Sequence, residues 1–121
     1  MASTPPPQNS PMQKRDYFER MIEQIAAAVV KIAGLARDAK LDEAETELDA
    51  AWSAGLNFKR RDADRLDDTT LKMLLGPKAT LVASLFDAEA AIEDARGSAA
   101  KAAKLRARAV ILRPSPPPSS A

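Results

Sequence analysis

Apolar residues recur alternately four and three positions apart between residues 16 and 37, and this spacing leaves the chain few choices of fold. The residues concerned are Phe18, Ile22, Ile25, Val29, Ile32 and Ala36. Such positions share one face of an α-helix, whereas in a strand alternate residues share a face. The spacing therefore predicts a long amphipathic helix over 16–37. Asp16 is its expected N-cap, with Glu19 completing a capping box.

Four further helices are predicted, each ending at glycine or proline. Asp42 and Glu45 repeat the capping-box pattern at the start of the second helix, which ends near Gly55. The others are expected over residues 68–75, 78–96 and 99–112. Aromatic residues make up only 4% of the chain, which is the usage of helices rather than sheets. The predicted fold class is all-α: four to five helices form two antiparallel hairpins, joined by a segment with a short helix.

Proline-rich stretches at both ends predict the domain organisation. We expect residues 1–13 to be a disordered leader, 14–113 to be the helical domain and 114–121 to be a disordered Pro/Ser tail. The N-terminus has no basic region followed by an apolar stretch, and the aliphatic run over 25–30 is too short to span a membrane. These features indicate a cytoplasmic protein.

The residue inventory argues against an enzyme. The chain has no Cys and no His, so thiolate catalysis, imidazole proton transfer and the common zinc sites are excluded. Its four glycines form no phosphate-binding loop, and the Asp-rich stretch 62–73 lacks the Gly and the closing Glu of a calcium loop. We therefore predict no catalytic, cofactor-binding or metal-binding residues. The carboxylate pairs Glu43/Glu47 and Glu89/Glu93 are expected to lie on solvated faces.

Charge is segregated along the chain although the net charge is only +1. Acidic residues concentrate in 40–49 and 87–94, and from residue 96 onward every charged side chain is basic. Lys101, Lys104 and Arg108 share one flank of the last helix. One interpretation is that this basic helix packs against the acidic fourth helix. The other is a docking face for an acidic partner, a membrane surface or, least favoured, nucleic acid.

A second basic cluster lies between the hairpins. Its members are Phe58, Lys59, Arg60, Arg61 and Arg65. An exposed aromatic residue beside arginines is typical of a protein interface. The alternative places Phe58 in the core and leaves the arginines solvated. The predicted protein-binding residues are this cluster together with Lys101, Lys104 and Arg108.

Small residues recur at corresponding places in the two hairpins. The pattern Ala44-x-x-x-Leu48-x-x-Ala51-Trp52 returns as Ala102-x-x-x-Arg106-x-x-Ala109-Val110. The region from Gly97 to Leu112 resembles the second half of a tetratricopeptide repeat. The run from Asp16 to Gln24 resembles the start of small uncharacterised bacterial helical proteins with degenerate repeats of this kind. The resemblance spans residues 16–112 and implies helical hairpins, but no chemistry.

These observations together predict a non-catalytic adaptor or scaffold. It would dock a partner protein, for which an acidic surface would be complementary, through a helical face and the basic segment between the hairpins. One alternative is a self-assembling structural protein in which the first helix pairs with a second copy. Another is a peripheral protein that binds anionic membrane through its last helix.

Overall fold

The computed structural model describes residues 11–56 and 58–113, and within this part the chain is helical with no strand. Its helices are α1 (Pro11–Arg37), α2 (Leu41–Ala50), α3 (Arg60–Arg65), α4 (Asp68–Leu75), α5 (Ala79–Arg96) and α6 (Ala99–Leu112). A π-helical segment, Ala51–Gly55, extends α2, and a 3-10 turn, Gly76–Lys78, joins α4 to α5. The predicted all-α fold class is confirmed. The disorder predicted for the two ends falls, apart from residues 11–13, outside the described residues.

The helix boundaries agree with the predicted ones best at the C-terminal end of the chain. The bounds of α4 and α6 are the predicted ones, and α5 begins at Ala79 rather than at residue 78. In contrast, α1 begins at Pro11, so residues 11–13 belong to a helix and Asp16 lies inside it instead of capping it. Proline is favoured in the first turn of a helix because its missing N–H would have no intrahelical partner there.

Both hairpins are antiparallel. The α1–α2 pair is bridged by Lys31 and Glu47, whose Nζ and Oε1 lie 2.8 Å apart. The α5–α6 turn is closed by Gly97, which has the left-handed φ of 86°, while the amide of Ser98 donates to the carbonyl of Glu93 at 2.8 Å. This is the helix-ending geometry that glycine favours. The hairpins pack together through contacts of α5 with α1 and α2.

The core is centred on Trp52, which is 1% exposed. Its ring packs against those of Phe58 and Phe86, with centroid distances of 6.2 Å and 5.9 Å. Nearby, Gly55 permits close approach of α1, because a Cβ atom at this position would lie 2.7 Å from Cδ1 of Ile25. No helix among the described residues combines the length and apolar character needed to cross a bilayer.

Candidate partner-binding surfaces

Phe58, the aromatic member of the predicted basic cluster, is partly buried. It packs against the hydrophobic core and contacts Trp52. This placement corresponds to the alternative in which Phe58 belongs to the core. The side chain therefore orients the start of the basic segment and offers a partner only part of its surface.

Arg60 holds α3 against α2. Its Nη2 donates to Oε2 of Glu45 at 3.0 Å, and its Nε lies 3.3 Å from Oδ1 of Asp49. The predicted capping role of Glu45 is wrong, because α2 begins at Leu41 and the Glu45 carboxylate instead accepts hydrogen bonds from both Arg60 and Arg96. Arg60 is thus occupied by contacts within the molecule.

Arg108 holds the other end of α3. Its Nη2 donates to the backbone carbonyls of Ala63 and Leu66, both at 3.1 Å, and its Nε donates to Asp68 at 2.6 Å. The guanidinium carbon also lies 4.6 Å from the centre of the Phe86 ring. These contacts satisfy carbonyls at the end of α3 and join α3, α4 and α6. Arg108 is therefore also engaged within the fold.

The remaining cations of the segment face solvent. Lys59, Arg61 and Arg65 are exposed, and no ion pair involving them forms among the described residues. Arg61 and Arg65 are one helical turn apart and share a face of α3. Lys59 and Arg61 also line a cleft of about 330 Å³ beside Arg60. We call these three residues the basic surface of α3.

Lys101 and Lys104 are exposed on α6. Together with Arg108 they line a cleft of about 280 Å³ that also contains Asp64, Glu89 and Glu93. Ion pairs also join α5 to α6 and to the residue that follows it. Nη2 of Arg106 lies 2.5 Å from Oδ2 of Asp94, and Nη2 of Arg113 lies 2.6 Å from Oδ2 of Asp87. The last helix thus packs on the acidic helix, as one interpretation predicted, while its two lysines stay open to solvent.

The expectation that Glu89 and Glu93 are solvated is wrong. Glu93 is only 8% exposed, and Oε1 of Glu89 is buried with no hydrogen-bond partner in the described part of the chain. The pKa of Glu89 is raised to about 7, chiefly by burial; Arg60 opposes this rise, and the nearby Asp64, Glu45 and Glu93 add to it. The i,i+4 spacing placed both carboxylates on one face, but the sequence did not show that α3 and α6 cover that face.

An apolar groove, which the sequence reasoning missed, lies where α1, α4, α5 and α6 meet. Its volume is about 510 Å³. It is lined by Phe18, Ile22, Lys72, Gly76, Pro77, Ala79, Thr80, Leu81 and Leu112. Ile22 belongs to the predicted apolar stripe of α1 yet remains 40% exposed, since the core does not extend over it. The lining includes one cation and no acid.

No cluster of three or more potential metal-ligating side chains occurs among residues 11–56 and 58–113. Comparisons of the chain with protein-family models, with curated proteins and with solved structures find no match.

Proposed function

We propose that the protein is a non-catalytic adaptor that binds a partner protein with an acidic surface through the basic surface of α3. The supporting observation is a contrast between cations. Arg60 and Arg108, on or beside α3, are engaged in ion pairs, whereas Lys59, Arg61 and Arg65 face solvent and form none among the described residues. Complementary charge accelerates association and gives specificity, and arginine is enriched among residues that dominate interfaces.

The apolar groove provides a second contact surface for the same partner. Its lining would accept an apolar side chain from a partner helix, in the manner of helix-in-groove recognition. Lys72 in the lining favours a carboxylate next to that side chain. A partner that contacts both surfaces would carry apolar as well as acidic residues.

The two alternatives have weaker support. Self-assembly through the stripe of α1 would compete with the core, because Ile25, Ile32 and Ala36 are already buried within the same chain. Membrane binding through α6 would use Val110 and Ile111, which are exposed at the opposite end of the helix from its lysines. Neither arrangement gives a continuous amphipathic surface.

Affinity capture from a native lysate, with mass spectrometry, tests the adaptor function. The test variant carries Lys59→Glu and Arg61→Glu, and it leaves Arg60 intact because Arg60 holds α3 in place. The matched control carries Lys101→Glu and Lys104→Glu, which changes the net charge equally on exposed positions of α6. Circular dichroism establishes that both variants keep the helical content of the wild type.

We expect a specific partner to be recovered by the wild type and the control but lost from the test variant. Recovery by both variants would remove the basic surface of α3 from the proposal. Loss only from the α6 variant would move the site to Lys101 and Lys104. Recovery of no protein other than the bait would favour self-assembly.

A further inference from the structure

Helix α3 is attached to the rest of the molecule mainly by charged contacts. It has six residues, of which only Ala63 is buried. A helix this short is not stable alone in water, so its docking depends on tertiary contacts. Those contacts come from Arg60 to the carboxylates of α2 at one end and from Arg108 to the carbonyls of α3 at the other.

The junction beneath α3 contains polar atoms without partners. Within the described residues, Nε1 of Trp52, Nη1 of Arg60 and Oε1 of Glu89 are buried and make no hydrogen bond. Arg60 and Glu89 attract each other electrostatically but do not form an ion pair. Buried donors and acceptors without partners are costly, so the docked arrangement of α3 is incompletely satisfied at Glu89.

Charged groups from α2, α3, α5 and α6 surround the Glu89 carboxylate. Arg60 and Asp64 face it from α3, Glu45 from α2 and Glu93 from its own helix. From α6, Lys101, Lys104 and Arg108 share its cleft. Ionisation of Glu89 therefore adds a negative charge near three other carboxylates, in a place that α3 helps to shield from water.

We propose that α3 is a proton-controlled latch, which docks while Glu89 is neutral and undocks when Glu89 ionises so that water reaches the carboxylate. Undocking moves the basic surface of α3 away from the core. The inference thus rests on the proposed function in one respect only: it assigns a means of regulating that partner-binding surface. The docking step itself needs no partner.

The direction of the pH effect follows from the pKa of Glu89. Burial raises the pKa of this carboxyl from an ordinary value of 4.5 to about 7 in the docked state. Docking is therefore strongest below 4.5, weakens as pH rises from 4.5 to 7, and reaches its weakest level above that range. The latch would operate close to neutral pH.

Amide hydrogen exchange on the full chain, measured by NMR and corrected for intrinsic rates, tests the latch. The reporters are the amides of Ala63 and Leu66, which donate to the carbonyls of Lys59 and Ala63. Relative to amides of α5, their protection should fall by about tenfold to a hundredfold between pH 5.5 and pH 8. Glu89→Gln should abolish this fall and keep α3 protected at both pH values. The exposed Glu43→Gln serves as the matched control and should behave as the wild type.

Equal pH dependence in the wild type and Glu89→Gln would overturn the proposal. So would α3 amides that exchange only as fast as those of α5, because α3 would then open only in global unfolding. A second variant, Arg108→Lys, removes the forked contacts to the carbonyls of Ala63 and Leu66. It should lower α3 protection at every pH, and wild-type protection in this variant would also contradict the latch.

The latch and the adaptor function can fail separately. Hydrogen exchange is measured without a partner, so a latch that moves as expected while capture recovers no partner would refute only the adaptor. A partner that binds through Lys59 and Arg61 while α3 shows no pH dependence would refute only the latch.

Discussion

At the scale of single residues, the same side-chain type serves different purposes depending on its partners. Arg108 donates to two carbonyls and one carboxylate, with a side chain that is 21% exposed. Arg106, two positions earlier, makes a single exposed pair with Asp94. The sequence presents both as members of one basic helix. Their different roles arise from Ala63, Leu66 and Asp68, which are distant in sequence.

We expect Arg108→Ala to lower the free energy of unfolding by roughly 2–4 kcal/mol, because it removes the donor to the partly buried Asp68 carboxylate and to the Leu66 carbonyl, and one of the two donors to the Ala63 carbonyl. Arg106→Ala, the matched control on the same helix, should change stability little, since its ion pair is exposed. Urea denaturation followed by circular dichroism measures both. Equal losses in the two variants would mean that the contacts of Arg108 are no more important than a surface pair.

The Glu89 carboxyl gives a stability prediction that depends on pH. The pKa of Glu89 rises from 4.5 to about 7 on folding, so ionising this group lowers the free energy of unfolding by up to about 3 kcal/mol. The full loss applies above pH 7, and almost none applies below pH 4.5. Glu89→Gln should therefore stabilise the protein at pH 8 and leave it nearly unchanged at pH 4.5. Urea unfolding at both pH values tests this, with the exposed Glu43→Gln for comparison. A gain of the same size at both pH values would contradict it.

At the scale of elements, the sequence predicted helices wherever apolar residues recur at helical spacing and glycine or proline marks the end of the run. The bounds of α4 and α6 followed from Gly76-Pro77, Gly97 and Pro114. It missed α3, since Arg60–Arg65 has no apolar periodicity and its contacts come from distant side chains. It misplaced the start of α1 because a capping-box pattern inside a helix has the same residue types as one at its end.

The π-helical segment Ala51–Gly55 packs closely against α1, so the effect of Gly55→Ala on stability should change sign with the residue at position 25. Gly55→Ala should lower the free energy of unfolding by about 1–2 kcal/mol, because the new Cβ would lie 2.7 Å from Cδ1 of Ile25, a side chain that is 1% exposed and would have to shift. In an Ile25→Val background that atom is absent. There the same substitution should be neutral or stabilising by up to about 1 kcal/mol, as alanine is the better helix former. A double-mutant cycle by urea unfolding measures the coupling, and additive effects would contradict the contact.

At the scale of the whole molecule, two surfaces of different character, the basic surface of α3 and the apolar groove, remain exposed. The candidate residues could be predicted in part: all the cations of the basic cluster were named from composition, but which of them are engaged internally depends on tertiary ion pairs. The apolar groove could not be predicted, because residues from four helices form it. Its one trace in the sequence is Ile22, which belongs to the apolar stripe of α1 but is left exposed by the core.

We expect Ile22→Glu to abolish capture of the partner while the fold is retained, because Ile22 lines the groove and is already 40% exposed. Val30→Glu is the matched control, since Val30 is an exposed apolar residue of the same helix that does not line the groove. Affinity capture together with thermal unfolding measures binding and folding separately. Loss of the partner in both variants, or in neither, would remove the groove from the docking surface.

The carboxylate of Glu45 binds one arginine from α3 and another from the end of α5. A mutation at this codon therefore removes one contact from each of two cations in one step, while Arg60 keeps Asp49 and Arg96 keeps Glu93 as partners. In any lineage that carries this chain, substitutions at positions 60 and 96 should consequently be more frequent where Glu45 has been lost. The order of such substitutions would record how the two hairpins became dependent on each other.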